Sequence, residues 1–362
     1  MKALKNKIVW NGLQGPSLNK LEEVGDPGIL RPYRIGDKCY VTLTNKDTGK
    51  PEHHQVPFNT ATLPHEVWLQ IDQTVTRAMR KRLKAVADLV GQNLTYNIPN
   101  GFGITGLMTQ TASRIGTAKV GMDPTEKGPS DLPVVSQRLI PLPCIWSDIQ
   151  IGARVLATSR RGGLPLDMAT SEDSAFACAE TAEQMLIGNG VPDKYKYIEG
   201  AVIYGYTDFP SRVTFSITAP DSSGWVGSTL LSELLAARQG LINKKKYGPY
   251  AIYLSPAWSK YLDGDYNSTT SGQTTTITIR ERILKVGGFS EIRELDYLTG
   301  WDILIVQMET DTVREIIGMP WTTVQWEEQG GQVLNYKIMG IYVPDIRADY
   351  DGNCGVAHGS VA

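Results

Sequence analysis

The stretch from Thr95 to Gln137 constrains the fold more than any other segment of the chain. It is rich in glycine and threonine and poor in large apolar side chains, and it separates a predicted helix from a predicted strand. Such a stretch of roughly 40 residues cannot offset the entropy of its own ordering by burying apolar surface. Folded as a two-armed hairpin with about 18 residues in each arm, it would reach roughly 60 Å. A compact chain of this length has a radius of gyration of about 21 Å, so we predict that the hairpin extends onto a neighbouring subunit.

The composition is that of a soluble globular protein, with 41% hydrophobic and 20% charged residues. The formal net charge of -2 gives no general attraction to nucleic acid or to an anionic membrane, so any such contact would be local. No segment reaches transmembrane length and the N-terminus lacks the apolar run of a signal peptide, which predicts synthesis in the cytosol. Four widely spaced cysteines match neither a zinc site nor a disulfide scaffold, so we expect free thiols at Cys39, Cys144, Cys178 and Cys354.

Residues 1–63 are the least regular part of the sequence. Closely spaced turn signals, among them Asp26-Pro27-Gly28, argue against long helices. An alternating run from Lys38 to Thr44 predicts a hairpin strand. We expect this N-terminal extension to be held by packing, for example against a neighbouring subunit.

A long helix is predicted next. Apolar residues recur at spacings of three or four from Trp68 to Val90, which predicts one continuous amphipathic helix that Gly91 ends. The opposite face carries basic side chains, including Arg77 and Arg80. Such a cluster could contact packaged nucleic acid or an acidic neighbour, although a solvated helix face is the commoner meaning of this pattern.

The remainder mixes predicted helices and strands without strict alternation. A helix from Asp167 to Gly188 has a face of small residues, including Ala175, Ala179 and Ala182, which predicts that it lies flat against a sheet. The fold class is therefore α+β and not a doubly wound parallel sheet. We further predict an extended segment at 138–156, two strands within 200–219, helices at 225–241 and 256–262, and strands at 250–254, 291–296, 303–308 and 333–343.

One short motif raises an enzymatic alternative. Gly101 to Gly106 match the GxGxxG dinucleotide fingerprint, and Asp123 follows at a tolerable distance. The fingerprint binds pyrophosphate where a strand leads into the loop and a helix leaves it. The residues from Leu107 to Gly121 lack a helical apolar stripe, so a flexible loop base is the better interpretation. The four histidines lie near no nucleophile motif and form no metal-ligand pattern. We predict no enzymatic activity, no cofactor and no metal site.

Several short segments occur in an order and at spacings that match one known family. They are the helix opening at His65–Asp72, the glycine-rich excursion, the Glu172-Asp173 helix ending at Gly188, and the strand openings at 200–205 and 247–252. Together they resemble the encapsulin shell proteins over about residues 64–345. Residues 343–355 resemble the endings of some encapsulin-like phage capsid proteins. This tail and the added N-terminal arm favour a viral shell over a cargo compartment.

The resemblance implies the Hong Kong 97-type major capsid fold, which encapsulins share with the major capsid proteins of tailed bacteriophages, here in the encapsulin-like (linocin-like) branch. That fold has an N-arm, an extended E-loop, a P-domain with a spine helix and a long β-sheet, and an A-domain. The corresponding regions are an N-terminal extension at 1–63, the N-arm helix at 64–94, the E-loop at 95–137, the P-domain at 138–225 with its spine helix at 167–188, the A-domain at 226–331, and a C-terminal strand and tail at 332–362 that return to the P-domain.

The resemblance also implies a structural protein that self-assembles as hexamers and pentamers into an icosahedral phage head enclosing double-stranded DNA. The alternative is an encapsulin nanocompartment shell that encloses an enzyme cargo. Portal, scaffold and cement proteins are implied partners, packaged DNA would make weak non-specific contacts, and no membrane is involved. Assembly would take place in the host bacterial cytoplasm, and the protein would reside in the virion.

By the same resemblance, three sets of residues are expected at contacts between subunits. The E-loop should lie over an adjacent subunit, the N-arm helix should contact a neighbour, and A-domain loops should surround the five-fold and six-fold axes. Some relatives join an E-loop lysine covalently to a neighbour's asparagine, but no acid that would promote this bond is identifiable here, so no cross-link is predicted. The expected contact residues are Lys119, Met122, Asp123 and Lys127 in the E-loop, Trp68, Arg77 and Arg80 in the N-arm helix, and Asn267, Ser271, Asp296 and Tyr297 in the A-domain loops.

Overall fold

The computed structural model describes residues 25–26, 33–35, 38–45, 51–56, 65–99, 101–113, 118, 120, 132–155, 158, 169–188, 197–198, 201–266, 277–328 and 332–361. The helices are α1 (His65–Arg82), α2 (Ala85–Gly91), α3 (Ala169–Ile187), α4 (Gly227–Asn243), α5 (Ser259–Leu262) and α6 (Ile279–Leu284). The strands are β1 (Gly25–Asp26), β2 (Tyr33–Ile35), β3 (Lys38–Asn45), β4 (Pro51–Val56), β5 (Thr95–Asn97), β6 (Gly106–Ala112), β7 (Val135–Pro141), β8 (Ile145–Gly152), β9 (Tyr197–Ile198), β10 (Ala201–Val202), β11 (Val213–Ile217), β12 (Tyr250–Leu254), β13 (Phe289–Glu294), β14 (Ile303–Gln307), β15 (Val313–Glu328), β16 (Val333–Ile346) and β17 (Val356–Val361).

The longest strands form the first sheet, with the order β5–β15–β16–β8. β15 and β16 pair antiparallel from Val313↔Ile346 to Glu328↔Val333. The sequence analysis did not predict β15. Its register shifts on both sides of Met319, next to Pro320, so apolar and polar residues do not alternate through the strand. A local pattern therefore does not identify this strand, the longest of those described.

Helix α3 packs on this sheet, against β8 and β16, with α1 beside it. Ala175, Ala179 and Ala182 are all buried. Because such small side chains let a helix backbone approach a sheet closely, their position confirms the prediction that this helix lies flat against a sheet. The contacts create the larger of the two hydrophobic cores.

The predicted continuous helix from Trp68 to Val90 is wrong, because the structure breaks it between α1 and α2 at Leu83 and Lys84. The cause is a side chain about a hundred positions away in the sequence. The Glu183 carboxylate of α3 accepts hydrogen bonds from the backbone N–H groups of Ala85 and Val86, at 2.7 and 3.3 Å. It thereby satisfies the free donors of a new helix N-terminus. No local signal at the break specifies this.

The second sheet has the order β11–β17–β14–β12–β13. β12 and β14 are buried at every position, as expected for strands covered on both faces. Helix α4 covers one of these faces and buries Leu230, Leu234 and Leu241 in a second hydrophobic core.

The two sheets do not follow the predicted domain boundaries, which stay a prediction. β15 lies inside the range 226–331 but pairs with β16 and β5 of the first sheet. β17 lies in the tail that was expected to return to the P-domain, yet it is inserted between β11 and β14 of the second sheet. The chain therefore crosses between the sheets more often than composition along the sequence can show.

The two strands predicted within 200–219 exist but do not form a hairpin with each other. β10 pairs with β9, whereas β11 pairs in parallel with β17. The turn between β10 and β11 is instead held against the end of α3. A Cβ atom on Gly205 would lie 2.3 Å from the Cα of Gly188, so the two glycine backbones touch.

The N-terminal extension is more regular than predicted. β3 confirms the strand expected at Lys38 to Thr44, and it is paired antiparallel by β1, β2 and β4.

The GxGxxG motif forms a tight backbone contact and not the flexible loop base that was predicted. Gly101–Gly103 make a single 3₁₀ turn, and strand β6 follows where a dinucleotide site needs a helix. Gly101 is buried, and a Cβ atom on it would lie 2.4 Å from the Cα and O atoms of Gly318 in β15. Glycine is therefore required at position 101 because two backbones cross there.

We expect the substitution Gly101→Ala to lower the free energy of unfolding by about 1–3 kcal/mol, because both contacting atoms belong to backbone that cannot turn aside. Denaturant unfolding followed by tryptophan fluorescence measures this loss. Gly287→Ala is the matched control, since a Cβ atom on Gly287 meets nothing within 4 Å. Equal stability of the two variants would contradict the proposed crossing.

Candidate assembly surface

Strands β6 and β7 form an antiparallel hairpin, which we call the arm. Their register runs from Gly106↔Pro141 to Ala112↔Val135. Because side chains alternate between the faces of a hairpin, one face holds the cross-strand pairs Met108–Leu139, Gln110–Gln137 and Ala112–Val135. We call these six residues the outer face.

The outer face of the arm is exposed and carries no charged side chain. Met108, Val135 and Leu139 are 57%, 50% and 43% exposed. Single exposed apolar residues are common, whereas several large ones on one uncharged face of a hairpin mark a contact surface. The outer face is therefore suited to packing against another polypeptide.

The inner face of the arm changes character along its length. At the base, Leu107 packs on the first core and Ile140 is buried in it. Further out, the pairs Thr109–Arg138 and Thr111–Ser136 are polar. These polar residues of the inner face line a cavity of about 160 Å³ against residues 345–349. Among the described residues of the inner face, those that pack on the first core lie at the base of the arm.

A buried acid joins the arm to the first sheet. Asp345 of β16 is fully buried, and its two carboxylate oxygens accept from Arg138 Nη2 at 2.6 Å and from Arg314 Nε at 2.7 Å. Arg314 lies directly opposite Asp345 in the β15–β16 ladder. We call Arg138, Asp345 and Arg314 the clasp.

Both arginines of the clasp also lie over aromatic rings. The Arg138 guanidinium carbon lies 6.0 Å from the Tyr204 ring centroid and 5.8 Å from that of Phe209. Arg314 lies 4.6 Å above the ring of Tyr96. These contacts add cation–π attraction to the charged hydrogen bonds.

A second polar cluster surrounds α2 at the junction between the two cores. Asp88 of α2 accepts from Tyr253 Oη at 3.1 Å and pairs with Arg293 Nη1 at 2.8 Å. Lys84, just before α2, pairs with Asp296 at 3.2 Å. Helix α2 is thus tied to α3 through Glu183 and to the second sheet through these contacts.

Burial shifts the titration of the acids in this junction. It raises the pKa of Glu183 to about 7, although hydrogen bonds from the backbone of residues 84–86 oppose the shift. Burial also raises the pKa of Asp88, with Arg293 opposing it. The pKa of Glu315 lies well above its ordinary value because of burial and, secondarily, the nearby Glu183. Among the described residues, neither carboxylate oxygen of Glu315 has a hydrogen-bond partner.

An apolar groove of about 480 Å³ lies between the helices α1 and α2 and the first sheet. Its sheet side is formed by the stacked rings of Trp321 and Tyr342, whose centroids are 4.8 Å apart. Val75, Met79 and Val86 are on the helix side.

The structure places only some of the predicted contact residues. Arg77 is exposed on α1, as predicted for a solvated helix face, whereas the side chains of Trp68 and Arg80 lie outside the described residues. Asp296 contacts Lys84, and Tyr297 packs on the first core, so both contact their own chain. Their place at a symmetry axis stays a prediction. Lys119, Met122, Asp123, Lys127, Asn267 and Ser271 lie outside the described residues.

The described residues offer no group of three or more His, Cys, Asp or Glu side chains that could hold a metal ion. Cys144, Cys178 and Cys354 are free thiols. Within the same part of the chain, no helix is both long enough and apolar enough to cross a membrane.

The sequence analysis missed the clasp and the Glu183 cap. A signal was available, because Asp345 interrupts the apolar run of β16 and Glu183 interrupts the small-residue face of α3. Charged residues are rarely buried without a partner, so an acid within an apolar pattern predicts a buried ion pair or cap. The partner itself could not be read from the sequence.

Three solved structures are similar to this chain. The virus-like particle from Pyrococcus furiosus is 13% identical with a TM-score of 0.57, and the match covers 82% of this chain and 100% of that one. The capsid of Myoviridae phage XM1 is 11% identical with a TM-score of 0.54, covering 75% and 90%. A chain from Mycobacterium phage Adephagia is 11% identical with a TM-score of 0.52, covering 74% and 87%. No curated protein matches the chain.

At these identities the likeness shows the fold, and it confirms the predicted α+β class and Hong Kong 97-type capsid fold. A family model described as "Family of unknown function (DUF6260)" matches residues 59–359, which is most of the sequence. The chain therefore belongs to the family DUF6260.

Proposed function

We propose that this protein is the major capsid protein of a tailed bacteriophage and that it assembles into an icosahedral head around double-stranded DNA. The observation that carries the proposal is the uncharged, exposed outer face of the arm on a chain with a capsid fold. A single copy leaves this apolar face in water, whereas a contact with a second copy would bury it. Repeating one such head-to-tail contact around closed symmetry generates a shell.

Within this proposal, the other predicted segments have defined roles. The E-loop and the N-arm helix contact adjacent subunits, and the A-domain loops surround the five-fold and six-fold axes. Packaged DNA makes weak, local contacts, as the net charge of -2 requires. Portal, scaffold and cement proteins are further partners, and assembly takes place in the host cytoplasm before the protein resides in the virion.

A shell that encloses an enzyme cargo is the second candidate. It is supported by the resemblance of residues 64–345 to the encapsulin shell proteins. The match to the virus-like particle from Pyrococcus furiosus, which covers the whole of that chain, is compatible with either candidate. The two candidates share the fold and the arm, so only their contents differ.

The purified protein tests both candidates. We expect negative-stain microscopy to show closed particles and nuclease-protected DNA to be recovered from particles made in infected cells. Closed particles that contain an enzyme and no DNA would favour the cargo shell. Small oligomers alone would contradict both.

We expect Met108→Asp to reduce the assembled fraction about tenfold or more, since an interface would bury the new charge without a partner. Sedimentation measures assembly, and circular dichroism should show an unchanged fold because Met108 is exposed. Met108→Leu is the matched control, which keeps the side chain apolar and should assemble normally. Normal assembly of the aspartate variant would contradict a role of the outer face.

A further inference from the structure

We propose that Arg138 is a positioning residue that fixes the direction in which the arm leaves the first sheet, and that closed-shell assembly requires this direction. The inference rests on the proposed function, because the arm is the segment that would reach a second copy. Three features of the arm support the proposal: the contacts at its base, the clasp further along it, and the lack of close packing beyond the clasp.

The base of the arm is attached by backbone and apolar contacts. Leu142 N donates to Thr105 O at 2.8 Å, and Ile140 is buried in the first core. Just before the arm, Gly101 touches Gly318 of β15. These contacts fix a point of attachment, but contacts at one end of a hairpin leave it free to tilt about that end.

The clasp supplies a second attachment, further along the arm. Arg138 lies three residues before the end of β7 and reaches the fully buried Asp345. A charged hydrogen bond of 2.6 Å is directional, and Arg314 holds the other oxygen of the same carboxylate. The carboxylate therefore cannot turn to follow Arg138 if the arm tilts.

The Arg138 guanidinium is also confined from a second side. Tyr204 and Phe209 meet edge to face at 5.8 Å between centroids, and both rings lie within 6.0 Å of the guanidinium carbon. An arginine fixed between a buried carboxylate and two rings has few alternative rotamers.

Beyond Arg138 the inner face loses its packing. Thr109, Thr111 and Ser136 line the cavity of about 160 Å³ and not a close-packed core. The ladder between β6 and β7 uses the backbone of Arg138, whose carbonyl oxygen also accepts from Thr109 Oγ1 at 3.3 Å, and not its guanidinium group. Loss of the clasp would therefore leave the hairpin intact and change only its direction.

The test measures the direction of the arm by electron paramagnetic resonance. Nitroxides are attached to keto-bearing amino acids at Gln110 on the arm and Ala236 on α4, both of which are exposed, so the native thiols stay unlabelled. Labelled chains are diluted into an excess of the same unlabelled variant, so that only distances within one chain are recorded. Microscopy of the same samples records the particles.

We expect Arg138→Met to broaden the distance distribution about twofold, since one of two attachments is lost, and to replace uniform closed particles by irregular ones. Arg138→Lys, which keeps the charge without the planar fork, should give an intermediate width. Lys337→Met is the control, because it removes an ion pair with Asp148 from another part of the same sheet; its distribution should match that of the unmodified protein.

Two results would overturn the proposal: a distribution in Arg138→Met as narrow as that of the unmodified protein, or a broad distribution together with uniform closed particles. If the unmodified protein itself forms no particles, the proposed function fails. The width measured for Arg138→Met still decides separately whether Arg138 fixes the arm.

Discussion

Replacing Asp345 by alanine is expected to lower the free energy of unfolding by about 3–5 kcal/mol, because one buried acid serves two arginines. Asp345 is fully buried, and water in the adjoining cavity would not supply the lost negative charge. Arg138 and Arg314 would be left facing each other as like charges without a shared counter-charge. Guanidinium unfolding of the subunit, followed by tryptophan fluorescence, measures the loss.

Asp263→Ala provides the comparison for this experiment. Asp263 pairs with Arg280 at 3.3 Å, but its side chain is 64% exposed. Exposed ion pairs contribute at most about 1 kcal/mol. Similar losses in the two variants would mean that the clasp stabilises the fold no more than a surface pair does.

The second large effect is a dependence of stability on pH that comes from Glu183. Its pKa is raised from 4.5 to about 7 in the folded protein, chiefly by burial. The folded state therefore holds a proton that the unfolded state releases. Glu183 favours folding below pH 4.5, and this contribution is lost as the pH rises through about 7. Each unit of pKa shift corresponds to about 1.4 kcal/mol, so about 3 kcal/mol should disappear over this range.

Glu183→Gln should remove this part of the pH dependence. The amide oxygen can still accept from Ala85 N, while the bond from Val86 N is weakened or lost. Denaturant unfolding at pH 5 and pH 8 should show a smaller decrease in the variant than in the unmodified protein. Asp88 and Glu315, whose raised pKa values act in the same direction, remain in both proteins. Because Glu183 adds to the raised pKa of Glu315, the variant also loses this smaller part of the pH dependence.

Glu281→Gln on α6 is the matched control for Glu183, since it removes an exposed carboxylate and should leave the pH dependence unchanged. If the free energy of unfolding of Glu183→Gln falls between pH 5 and pH 8 as much as that of the unmodified protein, Glu183 is not the group that carries the proton.

Local patterns predicted the elements whose environment is encoded in their own residues. The small-residue face of α3 predicted a helix lying on a sheet, and the run Tyr250–Leu254 predicted a buried strand. The excursion after Thr95 was predicted to fold as a two-armed hairpin, and β6 and β7 pair antiparallel over seven residues each, with β7 continuing past Gln137 to Pro141. In each case the pattern or composition of a continuous segment was sufficient.

The remaining features depend on contacts between distant residues. The break between α1 and α2 requires Glu183, and the capping bond joins residues 98 positions apart. The place of β17 in the second sheet depends on its pairing with β11 and β14, which no local pattern specifies. β15 was missed because its register shifts interrupt the alternation that identifies strands. Distant pairing therefore accounts for most of what the sequence did not predict.

The candidate assembly surface was likewise predicted only in part from the sequence. Composition indicated a hairpin in this region, and its reach onto a neighbour stays a prediction. The clasp that holds the arm required the pairing of Arg138 with an acid 207 positions later. The family resemblance supplied the expected neighbours of the arm, and their identity stays a prediction.

A cryo-EM reconstruction of the assembled protein tests the central claim most directly. We predict a closed icosahedral shell in which the outer face of each arm, with Met108 and Leu139, is buried against an adjacent subunit. A shell in which the arms point into solvent, or a protein that forms no shell at any concentration, would contradict the account.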